Sequence, residues 1–352
     1  MYVGGSYIDD GSGGHIFANQ MYVEKLSPLS RSNNDTSPAP SPIILVHGQA
    51  QTGTNFLNKP DGGRGWASHF LEAGHTVYIL DQTFRGRSAW APGLGATSPS
   101  TYSAEYVQDH FTAPARSNLW PQAKLHTQWP GTGVMGDAIF DAFYASNVQF
   151  VLNATYQQST VRDTAAQLLD SIGEPAWILG HSQGGLMSLV IADARPRLVK
   201  GLVLLEPTGP PFREAVFSER PARKWGVADV PISYEPAVTD PVVDLVTQVV
   251  EPVGEGNETV ACVLQASEPA PRQLKNLKGL DMLVVTSEAG YHAVYDYCTV
   301  AFLEQAGCTA VRHLRLGDVG IRGNGHFMFL ERNSDEIWKW VSGWMKKVSS
   351  WI

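Results

Sequence analysis

A chain of 352 residues, 43% hydrophobic and 17% charged, is long enough for one large α/β domain with insertions or for two ordinary domains. Its formal net charge of −8 argues against a nucleic-acid partner, because no basic stripe is present to release counterions from a phosphate backbone. No stretch approaches the roughly 18 apolar residues of a membrane span, so none is expected.

The N-terminus, Met1 to Ser6, lacks a basic region followed by an apolar run. It does not read as a signal peptide, and a cytoplasmic location is the default. Sequons at Asn34, Asn153 and Asn257 would matter only after secretion. Residues 14–26 are strand-like and lead into a Ser/Asn/Pro-rich loop at 27–42. Ile43-Ile44-Leu45-Val46 is a short apolar run ending at His47-Gly48, as a buried strand would. A helix is predicted at 65–73 and a strand at 76–80, ending at Asp81. From about 86 to 155 the pattern breaks down, and 91–131 is rich in Pro, Gly, Ser and aromatic residues. Alternation resumes with a helix at 159–171, with Val161, Ala165, Leu168 and Leu169 on one face. A strand at 176–179, a helix from about 184 to 194 and a strand at 202–205 follow.

A second irregular stretch, 207–278, holds one expected helix near 241–250. Beyond it come a strand at 282–285, a helix near 293–306 and a strand at 311–316. The final helix, 335–350, places Ile337, Trp340, Val341 and Trp344 at helical spacing, with Ser334 as its expected cap. Apolar strands alternating with helices imply a mainly parallel central sheet covered on both faces. The two irregular stretches interrupt it on the strand C-terminal side, where such sheets bind ligands. The expected organisation is one domain, 1–352, with cap or lid insertions at about 86–155 and 207–278. Cys262, Cys298 and Cys308 follow no metal-ligand spacing. A Cys298–Cys308 bridge is conceivable, and reduced buried thiols are the favoured reading.

The strongest chemical signal is Gly180-His181-Ser182-Gln183-Gly184, directly after a strand and directly before a helix. This is G-x-S-x-G in the setting of a nucleophile elbow, which lifts the Ser182 hydroxyl above the sheet at a helix N-terminus. Acyl transfer also needs oxyanion donors. The backbone N–H of Gln183 is one candidate, and that of Gln49, in His47-Gly48-Gln49, is the other. His47 itself ends a strand and reads as a packing or hydrogen-bonding residue.

The general base is expected after the last strand, where His326 sits in Gly323-Asn324-Gly325-His326-Phe327. His292 is a late alternative, and His313 falls within a strand as a core or face residue. Two carboxylates compete for the acid. Glu288 follows the strand at 282–285, and Glu206 ends an apolar strand, where an unpaired carboxylate is costly to desolvate. Spacing alone leaves both open. Asp81-Gln82-Thr83-Phe84-Arg85-Gly86-Arg87-Ser88 reads as a loop braced by Asp81 and the arginines.

With these residues in view, the chain resembles the α/β-hydrolase superfamily and, within it, the bacterial esterase 713 family. The resemblance runs through His47-Gly48, Thr52-Gly53, Pro60-Asp61-Gly62, Gly65-Trp66, Asp81-Gln82 with Arg85-Gly86-Arg87-Ser88, the Ser182 elbow, Glu206-Pro207 and Gly323-Asn324-Gly325-His326. It is weakest in 91–155 and 207–278. The family's acid, a glutamate after strand six, falls on Glu206, with Glu288 as the alternative. The family's adjacent oxyanion-loop cysteines are replaced here by Gln49-Ala50, so its vicinal disulfide is not implied. The resemblance implies esterase-type activity and a homodimer.

The expected function is a serine hydrolase that cleaves a carboxylic ester or lactone through Ser182, His326 and Glu206. It would use no metal and no organic cofactor. C–C bond hydrolysis or thioester cleavage could use the same triad. A non-hydrolytic lyase, cyclase or isomerase, or a binding protein on this fold, belongs to another class. Trp90, Trp120, Trp129, Phe140, Phe143, Tyr144 and Trp225 either line a pocket for a bulky apolar substrate or pack the cap.

Overall fold

The computed structural model describes residues 1–29, 39–91, 98–252 and 260–350. The sequons at Asn34 and Asn257 lie outside the described residues, as does most of the 27–42 loop. Eight strands form the central sheet: β1 (Tyr2–Val3), β2 (Met21–Leu26), β3 (Ile43–Val46), β4 (Val77–Asp81), β5 (Ala176–His181), β6 (Val199–Leu205), β7 (Met282–Thr286) and β8 (Val311–Arg315). Their order is β1-β2-β4-β3-β5-β6-β7-β8. The β1–β2 and β2–β4 pairs are antiparallel, and the remaining pairs are parallel.

The sheet is apolar on both faces because helices cover both. Ile44, Val46, Ile178, Leu202, Leu204 and Val284 point to one side, against α2 (Ala154–Ile172), α3 (Gln183–Ala194) and α4 (Asp296–Gln305). Ile43, Leu45, Leu179, Val203, Leu205 and Val285 point to the other, against α1 (Trp66–Glu72) and α5 (Ser334–Ser350). Successive strand residues therefore alternate between two cores, and each wholly buried strand serves both.

Local departures from the expected elements have physical causes. Helix α2 begins five residues before 159, where Asn153 accepts the Tyr156 N–H at 3.0 Å and caps it. The helix expected near 241–250 is a single turn, Pro241–Asp244, followed by a strand, Thr247–Val250, paired antiparallel with Cys262–Gln265. The valines at 249 and 250 serve a hairpin there, where β-branched side chains fit the pleat. Ser334 lies inside α5, its hydroxyl unpartnered, so it is not the expected cap. Trp340 is 48% exposed, and α5 packs through Ile337, Val341, Met345 and Val348 instead.

The cysteine expectation is corrected. Cys262 and Cys298 form a disulfide joining the 262–265 strand to α4, and Cys308 is the free, buried thiol. Chain folding brings together partners 36 residues apart in sequence, which spacing could not reveal.

Candidate active site

The parallel strands deliver the site. At the end of β5 the chain turns through Ser182, whose backbone has φ 55° and ψ −119°, before α3 starts at Gln183. A non-glycine residue at positive φ is strained, and this one is held from both sides. The Ser182 N–H donates to the Leu205 carbonyl at 2.9 Å, and the Ser182 carbonyl accepts from Thr208 N–H at 3.0 Å. The flanking glycines are required by close approach. A Cβ on Gly180 would lie 2.2 Å from the Gly184 carbonyl oxygen, and one on Gly184 would lie 2.2 Å from that of Val46. Gly48 has a matching need, since its Cβ would stand 2.9 Å from His181 Nδ1.

The structure brings His326 and Glu206 together. His326 Nδ1 lies 2.6 Å from Glu206 Oε2, with both side chains buried. The carboxylate takes the acceptor role, so Nδ1 carries the proton and the other ring nitrogen is left as the basic one. Glu206 is fixed in turn: its own N–H donates to the Val285 carbonyl at 3.0 Å, and Oε1 accepts the Ser287 N–H at 2.8 Å and the Ser287 hydroxyl. Burial alone would raise the Glu206 carboxyl, but His292, His326 and Ser287 outweigh it and hold the group below the usual range. Burial lowers His326 from 6.5, with Glu206 opposing. Glu288 does not reach His326. It pairs with Arg322 and accepts the Gly323 N–H at 2.8 Å, bracing the loop on which His326 sits.

Ser182 and His326 line one cavity of about 330 Å³, together with Gly48, Gln49 and Gln51. Among the described residues no hydrogen bond joins Ser182 Oγ to His326, and such contacts tighten when substrate binds. The N–H groups of Gln49 and Gln183 likewise have no partner among the described residues. His47 donates from Nδ1 to the Gly48 carbonyl at 2.8 Å and accepts the Gln82 N–H at Nε2 at 3.0 Å. Burial pushes its imidazole down to about 4, so it is a neutral brace for the Gly48 turn. Asp81 accepts from Gly53 N–H at 2.8 Å and from Arg87 Nε at 2.7 Å, fixing the two loops together. His313 bonds to Thr286 from its strand at 2.9 Å.

Phe111 and Asp296 escaped sequence reasoning, which named His292 and Arg85 without their contacts. Phe111 stacks on His326 at a centroid separation of 5.3 Å, and His292 stacks on it at 4.9 Å and 10°. His292 Nδ1 lies 2.8 Å from Asp296, and its Nε2 is 3.0 Å from the Tyr295 hydroxyl. Asp296 also accepts from Thr286 Oγ1 at 2.7 Å. Arg85 is fully buried, donates to Gln183 Oε1 at 3.2 Å and has no carboxylate partner among the described residues. Burial pulls it down to about 9. Of the two readings of the seven aromatic residues, packing is the one observed: Trp120, Trp129, Phe140, Phe143 and Trp225 are buried, and none of the seven lines the cavity. Glu206, His292 and His326 are the one group among the described residues whose ligand atoms lie close enough to share a metal, all within 4.8 Å. The 2.6 Å Glu206–His326 contact and the engaged nitrogens of His292 fit a hydrogen-bonded cluster better than a metal shell.

An elbow serine, a buried imidazole–carboxylate pair and a parallel sheet in this strand order define an α/β-hydrolase. The chain belongs to the alpha/beta hydrolase fold family, whose sequence profile matches residues 41–229. It is 47% identical over 346 residues to a probable secreted lipase, phiG, of Fungal sp. (strain ATCC 74256), covering 98% of this chain and 88% of that protein. Its fold matches that of a novel bacterial esterase with a TM-score of 0.64 at 19% identity, over 99% of this chain and 94% of the other. That match bears out the esterase 713 resemblance at the level of fold. The expected cytoplasmic location is overturned by the relative, a probable secreted lipase across nearly the whole chain.

Proposed function

We propose that this protein is a secreted carboxylic ester hydrolase working through Ser182, His326 and Glu206. The observation that carries the reading is the shared cavity: a strained elbow serine opens into the same space as a histidine whose far nitrogen is held 2.6 Å from a buried carboxylate. His326 takes the Ser182 proton as the serine oxygen attacks the ester carbonyl, and Glu206 stabilises the imidazolium. The N–H groups of Gln49 and Gln183 hold the oxyanion. His326 protonates the leaving alcohol, and water activated by the same residue releases the acid. The segments flanking the cavity, about 86–155 and 207–278, act as a cap.

The lipase relative supports an ester substrate, and the Cys262–Cys298 disulfide suits an oxidising compartment. A lactone offers the same carbonyl and differs only in keeping its alkoxide tethered. Titration of acid released from a panel of esters by the purified protein and by Ser182→Ala tests the reading. Stoichiometric acid from the parent and none above background from the variant is the expected result. Equal rates from the two proteins would remove the serine mechanism.

A further inference from the structure

The cavity around Ser182 is small, and its apolar lining is aromatic. Rings of Tyr102, Tyr106, Phe111, Phe217, Tyr291 and Tyr295 contribute to it, and among its described lining residues no aliphatic side chain larger than alanine occurs. The rings are held by one another. Tyr102 stacks on Tyr106 at 4.5 Å, Phe217 meets Tyr291 at 5.3 Å, and Phe111 lies against His326. A long acyl chain is recognised by continuous aliphatic area, each buried methylene adding a similar increment. The described lining offers little such aliphatic area. A planar ring, in contrast, gains from each well-placed aromatic contact beyond its burial.

A second, independent observation is Gln51. Its side chain lines the cavity and is 1% exposed, and neither Nε2 nor Oε1 has a hydrogen-bond partner. Its Oε1 is 3.4 Å from where a Cβ on Gly48 would stand, beside Gln49. A buried amide left unpaired is costly, and a ligand supplying both a donor and an acceptor would recover that cost.

We propose that the substrate is an ester with a planar aromatic ring next to the scissile bond, on its acyl or alcohol side, bearing a hydroxyl that pairs with Gln51. This rests on the ester-hydrolase reading above and narrows it away from long-chain lipid. The ring lies among these aromatic side chains, and the Gln51 carboxamide reads its substituent.

The test compares kcat/KM of the full chain on methyl benzoate and benzyl acetate with methyl octanoate and octyl acetate. Methyl 2- and 3-hydroxybenzoate and the variant Gln51→Leu complete the set. An aryl ester should exceed its alkyl counterpart by about tenfold or more, and a ring hydroxyl should add about tenfold more in the parent. Gln51→Leu should abolish the hydroxyl gain, bringing the kcat/KM ratio of the methyl hydroxybenzoates to methyl benzoate down to about one. Higher kcat/KM on the octyl esters, or a hydroxyl gain that survives Gln51→Leu, overturns the proposal. Fluorophosphonate labelling of the same preparations separates the two levels. A labelled Ser182 with alkyl preference refutes the ring alone, whereas an unlabelled Ser182 refutes the ester reading too.

Discussion

Two buried histidine–carboxylate pairs lie side by side in this molecule, His326 with Glu206 at 2.6 Å and His292 with Asp296 at 2.8 Å. Their rings are nearly parallel. By hydrogen-bond geometry and burial the two are almost interchangeable. They differ in what meets the rest of each ring: His326 lines the cavity that holds Ser182, whereas His292 spends its second nitrogen on Tyr295. A shielded imidazole–carboxylate pair is therefore no sufficient mark of a catalytic base. The free nitrogen and its access to a nucleophile make the distinction, and the second pair serves as a wall behind the first.

That contrast can be broken by exchanging the roles experimentally. Replacing His326 by alanine should lower kcat on a short ester by about 10⁶, the scale for losing a base that acts as a unit with its serine. His292→Asn should cost no more than about tenfold, since it removes a stacking neighbour of His326 and one of several groups that lower Glu206; equal losses would place His292 in the proton path. Among the carboxylates, Glu206→Gln should cost about 10⁴ in kcat, through the wrong tautomer. Asp296→Asn should spare most activity but destabilise the fold by about 3–5 kcal/mol in urea unfolding, because it leaves one half of a buried pair uncompensated. Glu288→Gln should change kcat by less than about threefold.

The pH profile sharpens the same comparison. The base must be neutral to act, and His326 is lowered from 6.5 chiefly by burial. The acidic limb of kcat/KM should therefore fall below 6.5. A limb at or above that value would mean that Glu206 and the other acids outweigh burial. The smallest expected effect on catalysis is that of the disulfide. Cys262→Ser with Cys298→Ser should lower unfolding stability by about 2–4 kcal/mol while leaving kcat nearly unchanged.

The elbow and the base were legible because each rests on local grammar. Gly180 and Gly184 announce a turn that only glycine can pass, and His326 follows the last strand within a glycine-bracketed loop. Spacing could not choose between Glu206 and Glu288, since both follow apolar strands. Register separates the two in space: Glu206 continues the ladder onto Val285 and meets His326, while Glu288 lies beyond the strand and turns toward Arg322. Gln51, Phe111 and Asp296 were invisible, and His292 and Arg85 were named without their partners, because their meaning lies in contacts the sequence does not display. Phe111 and His326 are one example, and Arg85 with Gln183 is another. The disulfide partners were hidden for the same reason.

The central claim is that Ser182 is an activated nucleophile. Its most direct test is intact mass after incubation with a fluorophosphonate, for the parent protein, Ser182→Ala and His326→Ala. One adduct on the parent, mapped to Ser182, with none on either variant, is the predicted result. A folded parent that stays unlabelled, or a Ser182→Ala variant that gains the adduct, would contradict the account.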